Sequence, residues 1–303
     1  MGRFIDHQIV PRRPKFDFST TPIHWVGNDA FTTHVLNSLQ VFIPEIEFYF
    51  CRLGNQTLTY VEDENLRADL KAFISQEANH ANAHKAARTY FDRYHIDPGM
   101  FTTKVESLLR NWLGDAPLGL DNFFARHSRA WLTFRMGVIA SWEHFFCFFG
   151  TWILKSEELA AVSDPVMLDL MRWHGAEEVE HRTVAFDAYR ALAGNGLKAY
   201  VGRQAAMAVA FPLMIVIWLQ AAAHVGSADG TDSGRAMGSK SLLGLIFEFS
   251  RVGRTSKRLP SLASIVHAVV LWLKPGHHPE HDGDVGAAMR YFDAREQHER
   301  GRG

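Results

Sequence analysis

Two Glu-x-x-His pairs carry the strongest chemical signal in this chain: Glu77 with His80 in QEANH, and Glu178 with His181 in EEVEH. Residues three apart on a helix share a face, so each pair offers a carboxylate and an imidazole to the same point. Two further glutamates lie among apolar neighbours, Glu47 in PEIEFYF and Glu143 in SWEHFFCFF. Desolvating an unpaired carboxylate is costly, so a glutamate on an apolar face needs compensation. Metal coordination supplies it.

The order of these residues repeats. A lone glutamate at 47 precedes Glu77 by 30 residues, and a lone glutamate at 143 precedes Glu178 by 35. Four helices, two donating Glu and two donating Glu-x-x-His, form the ligand set of carboxylate-bridged di-metal bundles. The predicted metal ligands are therefore Glu47, Glu77, His80, Glu143, Glu178 and His181, and catalysis would rest on the carboxylates Glu47, Glu77, Glu143 and Glu178. Four carboxylates also bring two divalent ions close to neutrality in a low-dielectric interior. The competing reading is four solvated helix faces with incidental histidines. His84, four beyond His80, and His174, four before Glu178, extend the same stripes. For both, two roles stay open: a further ligand, or a hydrogen-bond partner of a ligating carboxylate. Glu177 and Glu45 compete with Glu178 and Glu47 only if their helices are rotated, and His144 and Glu180 point off the stripes. Cys51 and Cys147 each follow a lone glutamate by four residues. Their plain reading is a small buried hydrophobe, the other a redox or oxygen-access role.

FIPEIEFYF, FISQEANHANAH, the Trp142-Glu143-His144 segment and WHGAEEVEHRTVAFDAY lie within Phe31 to Tyr189, roughly half the chain. On these motifs the sequence resembles the ferritin-like proteins catalogued as predicted metal-dependent hydrolases, the last string being quite specific. The resemblance implies a ferritin-like fold and a metal requirement. The family's first motif usually reads Pro-x-Gly-Glu; Ile46 stands in place of that glycine, which bears on local packing rather than on ligation.

Long helices must position these side chains. Asn28 or Asp29 caps a predicted helix from Ala30 to about Leu53, kinked or broken at Pro44, and GNQTL then reads as a turn. Residues 64 to 94 contain neither Gly nor Pro and read as one helix, followed by a shorter one over 101–112 and another over 121–154. Pro165 starts a helix to about Ala193, and further helices are predicted over 198–224, 239–255 and 261–273. No alternating run marks a strand. The expected architecture is all-α, a ferritin-like four-helix di-metal bundle over 29–194. It would carry an N-terminal arm at 1–28, accessory helices over 195–274 packing on the core, and a flexible tail over 275–303 that contains His277, His278 and His281.

Lys and Arg total 32 against 33 Asp and Glu, and this balance argues against nucleic acid as a partner. Two cysteines exclude a disulfide scaffold and a cysteine-built metal site. The proline-broken first residues lack the apolar core of a secretory signal, so the expected location is cytoplasmic. Ala205 to Leu219 is apolar throughout, short for a membrane span and interrupted by Pro212. It is expected to pack on the bundle or a second subunit, a homodimer being open, with peripheral membrane contact as the alternative. Oxygen and nitrogen donors suit two iron ions, or manganese. The expected function is a non-haem di-iron oxidoreductase, an oxygenase or oxidase that activates dioxygen on a small apolar or aromatic substrate, with electrons from a reductase or from the substrate itself. Phe145, Phe146, Phe148 and Phe149 are candidates to line its cavity. The alternatives are a metal-dependent hydrolase with a dinuclear site, and non-enzymatic iron or manganese binding.

Overall fold

The apolar periodicities become fifteen α-helices in the computed structural model, which describes residues 9–300. The first five are α1 (Ala30–Asn37), α2 (Leu39–Thr57), α3 (Glu64–Ala87), α4 (Thr89–Asp92) and α5 (Gly99–Leu113). Next come α6 (Asp121–Arg126), α7 (Ser128–Lys155), α8 (Glu157–Ala160), α9 (Pro165–Glu180) and α10 (Val184–Ala193). The remainder are α11 (Leu197–Ala228), α12 (Asp232–Gly238), α13 (Leu242–Thr255), α14 (Leu262–Leu273) and α15 (Val285–Arg300). Among the described residues the single β contact is an isolated bridge between Val26 and Ser163.

Short polar residues set the starts. Asp29, Asp63 and Asp164 each accept two backbone N–H groups in the first turns of α1, α3 and α9, and Pro165 occupies the first turn of α9, where no N–H is needed. Pro44 and Pro212 lie inside α2 and α11. The break expected at Pro44 falls instead at Ser38, between α1 and α2. GNQTL is not a turn, because α2 continues to Thr57. The helix predicted up to Ala193 is interrupted at His181, which ends α9 with φ −99° and ψ 10°.

The helices pair as the repeated motif order requires: α2 packs along α3, α7 along α9, and α11 lies across α7. Gly150 of α7 meets Gly175 of α9 so closely that a Cβ on Gly150 would lie 2.3 Å from the Gly175 carbonyl oxygen. Only glycine permits that approach, and it draws the backbones bearing Glu143 and Glu178 together. Phe50 of α2 stacks on Phe73 of its partner α3 and, across to the other pair, on Trp142 of α7, with centroids 6.5 and 6.0 Å apart. Fully burying each such side chain contributes about 1.5–3 kcal/mol.

The accessory parts hold to this core. Residues 9–28 run against α3 and α9, with Ile9 and Trp25 buried. Residues 275–300 differ from the flexible tail read in the sequence: Val285–Arg300 is a helix, packed on α9 and α7 through Ala287, Ala288 and Phe292.

Candidate metal centre

Each predicted ligand comes from a different turn of the paired helices, and all point inward. Glu47 projects from α2, Glu77 and His80 from α3, Glu143 from α7, His174 and Glu178 from α9, and His181 from its end. Their donor atoms fall into two groups, Glu47, His80, His174 and Glu178 in one, and Glu77, Glu143, Glu178 and His181 in the other. Glu178 belongs to both. Its Oε1 lies 2.6 Å from His174 Nε2 and 3.5 Å from His80 Nδ1, whereas its Oε2 lies 3.1 Å from His181 Nε2. Glu47 Oε1 closes the first group at 3.3 Å from His174 Nε2. Glu143 Oε2 and Glu77 Oε1 close the second, 3.0 and 3.3 Å from His181 Nε2. His84 stands outside both groups, behind His174.

These residues fit two metal ions. Both carboxylate oxygens of Glu47, Glu77 and Glu143, and Nδ1 of His80, are buried without a hydrogen-bond partner. Buried polar atoms are almost always paired, so seven such atoms around one carboxylate form a set that cations can serve. Burial pushes Glu47 and Glu77 well above the usual carboxylate range, reinforced by neighbouring glutamates. Burial and Glu178 raise Glu143 to about 8. Burial would raise Glu178 too, but His181 and His174 hold it below the ordinary range. Burial would lower His181, yet Glu178 and Glu143 raise it to about 10. The metal-free centre thus retains protons that bound cations would displace.

Outer hydrogen bonds fix which nitrogen of each histidine faces inward. His181 Nδ1 lies 2.9 Å from Gln76 Oε1, and His80 Nε2 lies 3.0 Å from Glu177 Oε2, leaving His181 Nε2 and His80 Nδ1 for the centre. His174 Nδ1 lies 2.5 Å from His84 Nε2, and His84 Nδ1 lies 2.5 Å from Gln40 Oε1. Arg12 of the N-terminal arm ties the outer layer together through Glu177 at 3.3 Å and Glu180 at 3.0 Å, and Glu180 also accepts from Gln76. Arg12, Gln40 and Gln76 carry no sequence signal as site residues, save that Gln76 directly precedes Glu77.

The competing acids stand outside both donor groups. Glu45 pairs with Arg88, and Glu177 and Glu180 pair with Arg12. His144 lies against Asp282 and the Ala268 carbonyl. Burial pushes the Cys51 thiol up to about 12 and also raises Cys147, so neither is a thiolate near neutral pH.

The model of the predicted metal-dependent hydrolase family matches residues 10–283. The chain belongs to that family. No curated protein and no solved structure matches it. The matched stretch of this predicted metal-dependent hydrolase is wider than the motifs quoted above and includes Arg12 and the loop with His277 and Asp282. Against the centre it has a slot of about 60 Å³ lined by Phe145, Phe146, Phe149, Phe211 and Trp218, with His174 and Glu178 as its polar end. Phe148 faces a different cavity.

Proposed function

We propose that this chain is a dinuclear metal-dependent hydrolase on a ferritin-like four-helix bundle of α2, α3, α7 and α9, acting on a small substrate with an apolar portion. One observation carries the reading: an otherwise apolar slot ends on His174 and Glu178, two side chains that belong to the metal-binding groups. The family match supports hydrolysis over other metal chemistry.

The chain's own residues bind, orient and exclude water. The phenylalanines and Trp218 take up the apolar part of the substrate and leave its polar end nowhere to go except toward Glu178. Glu178 holds the two donor groups in register through its separate oxygens. Gln76, Glu177 and His84 hold the three histidines in the tautomer that turns a lone pair inward. Two bound divalent ions would polarise the substrate carbonyl and lower the pKa of an attacking water.

A second reading rests on the same slot. Its walls offer no proton-transfer group besides the ligands, which suits dioxygen and a C–H bond, with two iron ions and an external electron source. Reconstituted protein assayed without oxygen on acyl esters of graded chain length separates the two. The hydrolase reading expects ester cleavage without oxygen that is lost in Glu178→Gln. Oxygen uptake by reduced, iron-loaded protein with no ester cleavage would sink hydrolysis in favour of the oxidative reading.

A further inference from the structure

A second set of ligand-type side chains converges on the far side of α7. His144 of α7 meets His277 and Asp282 from the loop between α14 and α15. His144 Nδ1 lies 2.9 Å from Asp282 Oδ2, and His277 Nε2 lies 3.4 Å from the same oxygen. All three donors lie within 4.8 Å of one another. Ligands of a tetrahedral zinc ion, with bonds of about 2.0–2.1 Å, sit about 3.3 Å apart.

The hydrogen bonding sharpens this. His144 Nε2 lies 2.9 Å from the carbonyl oxygen of Ala268, which can only accept. Its hydrogen is therefore on Nε2, as in most metal-bound histidines, whose outer N–H goes to a carbonyl or carboxylate. His277 Nε2 is buried without a hydrogen-bond partner, and its side chain is 5% exposed. A cation serves all three.

The loop is built to stay in place. Gly283 has φ +74°, and a Cβ there would lie 2.8 Å from Cys147 Sγ, so the chain is pressed against α7 beside Asp282. Asp284 then accepts from Lys155 at 3.0 Å.

We propose that His144, His277 and Asp282 form a mononuclear site for zinc or a similar nitrogen-preferring divalent cation, separate from the dinuclear centre. Three protein ligands leave a fourth position, as in zinc sites that bind water or substrate. His144 and Asp282 line a cavity of about 450 Å³ together with Lys155, His267 and His281, which gives that position an approach for a small ligand.

Full-length protein stripped of metal and equilibrated with zinc or cobalt(II) tests the site. Wild type is expected to hold one ion per chain more than His277→Ala or Asp282→Asn. Cobalt-loaded wild type should show the intense visible bands of a four-coordinate site, and both variants should lose them. The readout is a difference of one ion, so it stands whatever the dinuclear centre contains. Equal metal content in wild type and variants overturns the proposal, and so does a wild-type cobalt spectrum without four-coordinate bands, which needs no variant to fold.

Discussion

His84 Nε2 lies 2.5 Å from His174 Nδ1, directly behind the imidazole whose other nitrogen faces Glu47 and Glu178. We propose that His84 orients a ligand without being one. His84→Ala should weaken metal affinity about 10- to 100-fold while leaving the centre able to bind. Competitive titration against a chromogenic chelator measures this. Unchanged affinity would remove His84 from the account, and complete loss of binding would make it a ligand.

The contact of Gly150 with Gly175 sets how near Glu143 comes to Glu178. Gly150→Ala places a methyl group against the Gly175 backbone and should destabilise the fold by about 1–3 kcal/mol or more, since overpacked sites relax poorly. It should also lower metal affinity, because the two helices must part. Denaturant melts and metal analysis of the variant check both, and wild-type values in the two would show that the close approach is unimportant.

The metal-free protein should lose stability as pH rises from 6.5 to 8. Glu47 and Glu77 sit well above the usual range and Glu143 and Glu177 near 8, all through burial first, so the folded state keeps protons that the unfolded chain has released. Wherever the folded state binds more protons, stability falls with pH. His181, raised to about 10 despite its burial, acts in the same direction above 6.5. Burial lowers His34, His80, His84 and His277, and these oppose the trend mainly below 6.5. Glu178, held below its ordinary range, matters only in acid. Bound metal should flatten the slope, since the ligands are then deprotonated throughout. A melting temperature of metal-free protein that climbs over this window would refute the assignment of protons to the centre.

What was legible in the sequence was what helical spacing encodes. Glu77 with His80 and Glu178 with His181 announce a shared face from local spacing alone, and Asp164-Pro165 announces a helix start. The supports were not legible, because they depend on contacts between distant segments. Nothing in the first residues separates Arg12, which reaches Glu177 and Glu180, from Arg13 beside it. The interruption at His181 has no Gly or Pro to mark it. Helix α15 is hard to read because Ala287, Ala288 and Phe292 make a thin apolar stripe among charges, and the helix it packs on, α9, is distant in the sequence.

For the segment Ala205 to Leu219 we propose packing on the bundle. Helices α7 and α11 are both long and apolar enough to cross a membrane, but 72% and 50% of their most apolar windows are buried. Indole hydrogen bonds fasten α11 on both sides: Trp218 donates to the Val35 carbonyl at 2.7 Å, and Trp142 donates to that of Ala210 at 2.9 Å. After expression without detergent the protein should appear in the soluble fraction, or leave membranes on high-salt and alkaline washing. Recovery solely in the washed membrane pellet would contradict this.

The central claim is that one carboxylate, Glu178, stands between two metal ions. Its Oε1 and Oε2 face separate donor groups, so anomalous diffraction from iron- or manganese-loaded crystals should show two peaks, each within about 2.0–2.3 Å of a different Glu178 oxygen. His174 and His80 should bind the first ion, and His181 the second. A single peak at this position, or none within bonding distance of Glu178 while the protein carries metal elsewhere, would contradict the account.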